Sequence, residues 1–474
     1  MAEQVLNMQK ALKGLPPVWH EDLLPAIRSK IEHNPVSLVV LDDDPTGTQT
    51  VYDVPVLTNW KVRTLTDEFR KGTPLFYILT NSRSLHQDEA INLAREIGTN
   101  VLQASRQADR SFEVISRSDS TLRGHFPAEV DALADAVGLR EAVLVIIPFF
   151  EEGGRYTIGD VHYVREKDQL VPAAQTPFAK DAVFGYENSN LRKWVEEKTK
   201  GRIPASSVQS LSIDEIRKEG PDYITKKLLQ RAPDGAFIVN AADYRDLEVV
   251  TLGLLNAQCE GVRFLFRTAA SFVRVRAGLG PRPLLSAKDM GPLSRIGGLV
   301  VVGSHVPRSS EQLSHLLQNG DISGIELRVE NVLASERRDR EVANIIEFAD
   351  AALSEGQDVV VYTSRRLVSG NDDAGSLAIG RLISQALVEV VRSISLQPRY
   401  ILAKGGITSS DIATQALNIT RAKVLGQILP GVPVWRTGPK SKFPDMAYIV
   451  FPGNVGSTDA ISVVVQSLRE SGNK

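Results

Sequence analysis

The chain has 474 residues, 42% of them hydrophobic and 24% charged, with 55 basic against 57 acidic side chains and a formal net charge of −2. That length predicts two or three domains with ample core, and the balanced charge gives no electrostatic reason to expect a nucleic-acid or membrane partner. The single cysteine, Cys259, excludes an intramolecular disulfide and a cysteine-based metal site, and fits a reducing cytoplasm.

The N-terminus lacks the basic and apolar regions of a signal peptide, and no apolar stretch approaches the ~20 residues of a membrane span. Residues 1–34 read as a helical extension. Leu15-Pro16-Pro17 precedes Leu23, Leu24, Ile27 and Ile31, an amphipathic helix closed by Asn34-Pro35 that is expected to pack on one domain or on a partner subunit. An apolar run over 36–41 then ends abruptly in Asp42, Asp43 and Asp44 and a turn at Gly47. A buried parallel strand delivers charge to the edge of a sheet in this way, where open α/β folds put their active sites.

Further apolar runs follow at 75–79, 144–147, 237–239 and 264–266, and a second series at 299–302, 359–362, 400–403 and 448–451. Helical segments separate them, which is the pattern of βα units. The clearest helix spans 373–394, with Leu382, Leu387, Val390, Val391 and Ile394 on one stripe and residues 370–373 as its loop and N-cap. Between the two series, residues 276–297 contain Gly278, Gly280, Pro281, Pro283, Gly291 and Pro292 without periodicity, which reads as a linker. The expected division is 1–34, 35–285, a linker over 286–296, and 297–474. The fold class is α/β, with two domains, each a mainly parallel sheet flanked by helices.

Three consecutive carboxylates repel one another unless a proton or cation sits among them, a cost that function tolerates. A second polar cluster occupies 115–125, where Arg117, Asp119, Ser120, Thr121, Arg123 and His125 crowd together before Pro127 opens a helix. Hydroxyls and guanidinium groups at a helix start suit a small polar anion. Arg83, after the run at 75–79, has the planar fork that clamps a carboxylate. At Gly153-Gly154 the backbone can approach a ligand, although a tight turn explains the pair nearly as well.

In the C-terminal half the run at 299–302 enters a small-residue turn at Gly303-Ser304. Lys404-Gly405-Gly406-Ile407-Thr408 follows the run at 400–403, and Pro452-Gly453-Asn454 follows the last one. Amides freed by paired glycines ahead of a helix form a nest suited to phosphate, with Lys404 as a candidate point charge. Other phosphate signatures are missing. Pro439 stands where a P-loop needs its last glycine before Lys440-Ser441, and no Gly-x-Gly-x-x-Gly follows a strand.

Asp42-Asp43-Asp44-Pro45-Thr46 also satisfies Asp-x-Asp-x-Thr, the start of a haloacid-dehalogenase-type phosphatase with Asp42 as nucleophile and Asp44 as acid/base. No later strand ends in the acidic pair such an enzyme requires. A sugar-acid-binding regulator without chemistry is a further alternative.

Taken together, Asp43-Asp44-Pro45-Thr46-Gly47, Asp119-Ser120-Thr121-Leu122-Arg123-Gly124, Lys404-Gly405-Gly406-Ile407-Thr408-Ser409 and Pro430-Gly431-Val432-Pro433 resemble the four-carbon acid sugar kinase family. The resemblance spans roughly 36–470 in the same order along the chain. It implies a sugar-acid-binding N-terminal domain, a nucleotide-binding C-terminal domain and an active site in the cleft between them. ATP and Mg2+ are the implied cofactors, and a homodimer is the default assembly.

Carried onto matching positions, Arg83, Asp119, Ser120, Thr121, Arg123 and Gly154 would lie at the substrate site, with Asp43 and Asp44 catalytic. Ser304, Lys404, Gly405, Gly406, Thr408, Gly453 and Asn454 would lie at the nucleotide site. The resemblance further implies that Arg83 and Arg123 neutralise the substrate carboxylate while Asp119 and Ser120 hold hydroxyls. One of Asp43 and Asp44 would accept the proton of the attacking hydroxyl, and the sequence leaves open which. Departures from the family pattern occur at Ile407, where glutamate is usual, at His125, Pro45 and the 451–456 loop. They point to a divergent branch whose substrate is 3-oxo-tetronate, threonate, erythronate or a branched oxo-acid.

Overall fold

The computed structural model describes residues 3–230, 235–291, 294–366, 368 and 373–469. The chain forms two compact units, Met1–Thr50 with Asn59–Pro281, and Val51–Thr58 with Arg282–Lys474. The expected single crossing near 286–296 is therefore joined by a short excursion at 51–58. That segment holds the four-residue strand Val54–Leu57, which pairs antiparallel with Arg421–Leu429. The expected N-cap at 370–372 lies outside the described residues.

In the first unit seven strands run parallel in the order Gln209–Leu211, Ala236–Val239, Val143–Ile147, Phe264–Thr268, Phe112–Arg117, Ser37–Asp42 and Leu75–Leu79. Ser37–Asp42 is buried along its whole length, as a parallel strand covered on both faces must be. The helices that return the chain between strands pack on one another, Gln87–Ala108 on Ala128–Val137 and Ile213–Leu229 on Tyr244–Cys259. The N-terminal helix Leu24–His33 belongs to this unit. Ile27 is fully buried, and the Leu23 amide donates to Glu248 Oε2 at 3.2 Å.

A small antiparallel sheet of Leu6–Asn7, Gln169–Pro172, Val161–Glu166 and Arg155–Ile158 completes the unit.

In the second unit Ala447–Phe451, Tyr400–Lys404, Leu299–Val302, Val359–Thr363 and Ser323–Leu327 are parallel. Val432–Thr437 and Arg421–Leu429 extend the sheet as an antiparallel hairpin that turns at Pro430-Gly431. One face of the sheet, with Val300, Val302, Leu402, Ile449 and Phe451, packs with Leu313, Leu316, Ile461, Val464 and Leu468 from two helices. Alternate residues Val301, Ile401, Ala403 and Val450 are equally buried, so both faces are covered. Among the described residues no helix is long and apolar enough to cross a membrane.

Candidate active site

Strand register places the acidic cluster. Asp42, the last residue of its strand, lies opposite Arg117 on one side and Leu79 on the other. Arg117 thus ends a strand rather than opening a loop. Its Nη1 lies 3.1 Å from Asp42 Oδ1 and 3.4 Å from Asp43 Oδ1, with all three side chains nearly fully buried. Beyond Leu79 the chain turns at Asn81 in a left-handed conformation (φ 51°) into the short 3₁₀ turn Ser82–Ser84, which carries Arg83. Arg83 Nη2 donates to Asp44 Oδ2, and Nη1 lies 3.3 Å from Asp119 Oδ1.

Asp44 also caps the 3₁₀ turn Pro45–Thr48, accepting from the Thr46 amide at 2.8 Å. Gly47 leaves room for Asp42. A Cβ at that position would stand 2.1 Å from both Asp42 carboxylate oxygens.

The loop after Phe112–Arg117 adds the second half of the cluster. Asp119 Oδ2 accepts from Thr121 Oγ1 and from Arg123 Nε, the latter at 2.8 Å. The Asp119 amide donates to Asp43 Oδ2 at 3.3 Å. The loop itself is pinned from outside. The Ser120 carbonyl contacts His162 Nε2 at 2.7 Å, the Thr121 carbonyl accepts from Tyr186 at 2.8 Å, and Arg267 reaches the carbonyl of Arg123 at 3.2 Å. Arg267 lies against the stacked Phe126 and Trp194 rings, 5.2 and 4.9 Å from their centroids. His125 Nε2 contacts the carbonyls of Ser82 and Leu85 and so ties the Arg83 turn to this loop.

Neighbouring carboxylates are held in different protonation states. Burial pushes Asp42 up to about 8, with Asp43 and Asp44 adding to the rise and Arg117 opposing it. Burial raises Asp43 as well, against Arg83 and Arg117. For Asp44 burial acts in the same direction, but the Arg83 charge and the Thr46 bonds outweigh it and hold the carboxyl below its ordinary value. Asp119 is held well below, because Arg123 and Arg83 overcome its burial.

Gly154 has a backbone reason for being glycine. Its φ is +69°, and a Cβ would stand 2.8 Å from the Arg165 Cβ, so the tight turn accounts for it.

In the second unit register again gathers the loops. Val302 pairs with Lys404, and Lys404 with Phe451, so the turns at 303–306, 405–408 and 452–454 leave the same edge. Gly405 has φ +112°, its amide donates to the Phe451 carbonyl at 2.8 Å, and a Cβ would stand 2.9 Å from the Ser304 Cβ. Gly406 begins the short helix Gly406–Asp411, and Thr408 is buried beneath the turn. Ser309 Oγ donates to the Gly453 carbonyl at 3.2 Å and lies 3.0 Å from the Ser304 hydroxyl, which joins two of the turns. Asn454 and Ile407 are exposed at the rim.

Lys404 differs from the expected point charge. Its ammonium is fully buried, donates to the Pro452 carbonyl at 2.6 Å and lies 4.1 Å from the Phe451 ring centroid. Burial pulls it down to about 7, with Arg308 adding. The lysine clamps the two glycine turns together from below.

Three further arginines stand at positions that the order of residues marks. Arg117 and Arg267 carry the same signal as Asp42, a charge at the end of an apolar run, and Arg155 directly follows the paired glycines.

Residues 38–276 match a sugar-binding N-terminal domain family, and residues 299–461 match a nucleotide-binding C-terminal domain family. A D-threonate kinase of Salmonella typhimurium is 25% identical over 370 residues, covering 75% of this chain and 81% of its own. A 3-oxo-tetronate kinase of Pseudomonas fluorescens is 23% identical over 370 residues, covering 75% and 78%. A crystal structure from Salmonella typhimurium LT2, described as a candidate tRNA synthase, aligns with a TM-score of 0.65 at 18% identity. It covers 89% of this chain and 97% of its own, a likeness of fold.

Proposed function

The chain belongs to the four-carbon acid sugar kinase family and is a phosphotransferase acting on a hydroxyl of a sugar acid; from that premise we propose that it moves the γ-phosphoryl of ATP to the terminal hydroxyl of threonate, erythronate, a 3-oxo-tetronate or a branched oxo-acid. The observation that carries this reading is the unequal ionisation of three adjacent carboxylates. Asp44 stays charged and anchors Arg83, while Asp42 keeps its proton and relieves the repulsion. Asp43 is buried and raised toward neutrality, which suits a group that accepts a hydroxyl proton as the oxygen attacks phosphorus. Asp43 is therefore the base in this reading, and Asp44 a positioning residue acting through Arg83.

Asp119, held ionised by Arg83 and Arg123, would receive substrate hydroxyls. The glycine turns at 405–406 and 453 would hold the ATP phosphates, because phosphoryl transfer depends mostly on alignment and charge stabilisation. Among the described residues no group of three or more His, Cys, Asp or Glu side chains is arranged to hold a metal ion. Mg2+ would then come as the ATP complex, held mainly by phosphate oxygens, and supply charge neutralisation there.

Two features weigh against the alternatives. A buried Asp42 that keeps its proton is a poor phosphatase nucleophile. A regulator without chemistry would leave the second unit's glycine turns without a task.

The test is ADP release with Mg-ATP across a panel of threonate, erythronate, 3-oxo-tetronates and branched oxo-acids, with the product identified by mass. ADP with one acid and a phosphorylated product is the expected result. Phosphate release from sugar phosphates without ATP, and no ADP with any acid, would overturn the reading in favour of Asp42 chemistry.

A further inference from the structure

Arg155 opens the strand Arg155–Ile158 directly after the Gly153-Gly154 turn. Its guanidinium stands over the Phe178 ring at 5.4 Å from the centroid, and Arg123 stands over the same ring at 5.1 Å. Both cations use one aromatic shelf, but their pairing differs. Arg123 is held by Asp119 at 2.8 Å and faces Asp181 at 3.7 Å. Arg155 has no carboxylate partner among the described residues. Its Nη1 donates to the carbonyl of Gly153, and its Nε is buried with no hydrogen-bond partner at all.

Arg83 and Arg117 are each committed to two carboxylates. Asp119, the acid of the cluster whose charge acts on Arg155, already accepts from Arg123 and Thr121 and faces Arg83.

An arginine taken out of water without a counter-ion is costly, and the burial here is sufficient to pull its pKa down to about 10, with Arg123 and Arg165 adding to the fall and Asp119 opposing it. It stays charged at neutral pH nonetheless. Arg155 as a residue is only partly buried, short of the full enclosure of Arg117 and Arg267. A planar fork beside a second guanidinium on a shared aromatic face matches a carboxylate, which takes two parallel hydrogen bonds.

Resting on the sugar-acid reading above, we propose that Arg155 receives the substrate's carboxylate, with Arg123 alongside, and so makes the site select acids over their uncharged analogues. Arg83, engaged by Asp44 and Asp119, instead shapes the acidic side of the pocket.

The experiment compares wild type, Arg155→Gln and Arg155→Lys on the panel acid with the highest turnover and on its uncharged carboxamide. ADP release is measured for both compounds, and binding of the acid is measured by calorimetry. In Arg155→Gln, kcat/KM for the acid should fall roughly 30-fold or more while that for the carboxamide holds, so the acid-to-amide ratio collapses. Arg155→Lys should fall between the two, because it keeps the charge and loses the fork. Equal losses on both compounds would mark a structural role and overturn the assignment, as would an unchanged ratio in Arg155→Gln. Those results leave wild-type kinase activity standing. Conversely, no wild-type ADP release but saturable D-threonate binding that Arg155→Gln abolishes would uphold Arg155 and overturn the kinase reading.

Discussion

Replacing Asp42 with asparagine should flatten the pH dependence of folding stability in the first unit. Asp42 is 1% exposed, its carboxylate lies against Gly47, and Arg117 approaches it at 3.1 Å. Burial lifts it from 3.8 to about 8. Below the lower value both folded and unfolded chains carry the proton, and this group's contribution to stability is fully present. Between the two values the folded chain keeps a proton that the unfolded chain has released, so stability falls as pH rises, by about 1.4 kcal/mol per pH unit. Above the folded value the loss levels off.

From pH 6 to pH 8, where the group is half-titrated in the folded chain, the wild type should therefore lose about 2 kcal/mol through this group. Asparagine has the same shape and no proton to release, so it contributes none of that slope. Asp43 is raised as well and persists in the variant, so the slope is reduced rather than abolished. Urea titrations at pH 6, 7 and 8, followed by tryptophan fluorescence, would measure this, since Trp19, Trp60 and Trp194 all lie in the first unit. Parallel stability lines for the variant and the wild type would refute the argument. Asp42→Asn should also keep measurable turnover, which a phosphatase nucleophile could not.

Asp43→Asn should lower kcat by ~100-fold or more with little change in KM for ATP, as removal of a general base does; initial rates check it. Gly405→Val puts a branched side chain at φ +112°, where its Cβ would meet Ser304 at 2.9 Å. ADP binding by calorimetry should weaken roughly tenfold or more while acid binding is spared. Lys404→Met tests the buried clamp. With a folded value of about 7 against an ordinary 10.5, the wild type loses stability as pH falls through that window, and the variant should not. Denaturation at pH 7 and 9.5 would detect the difference. A large rise in KM for ATP would instead mean that the lysine reaches phosphate.

The architecture was legible from the sequence because it rests on local, repetitive signals. Buried parallel strands are short continuous apolar runs, and each ends where charge or glycine begins, as Leu41-Asp42 and Ala403-Lys404-Gly405 do. Both polar strand-end clusters followed from that pattern. The strand Val54–Leu57 did not. Four residues containing a proline carry no period, and only its pairing with Arg421–Leu429 assigns it to the second unit.

Side-chain roles divide along the same line. That Asp42, Asp43 and Asp44 stand together at a strand end is a property of the chain's order of residues, as is the run of glycines and hydroxyls after Lys404. Which carboxylate keeps its proton depends on burial and on Arg83 and Arg117, brought in from 39 and 75 residues away. The same holds for charge pairing. Arg83 looks like a free clamp in the sequence and is engaged twice, Lys404 looks like a point charge for phosphate and is buried, and Arg155 follows a turn and, like the fully buried Arg267, has no carboxylate partner among the described residues. Residue order specifies which groups reach the sheet edge, because that follows from strand periodicity. Only the tertiary structure decides which remain unpaired, because ion pairs and desolvation depend on neighbours distant in the chain.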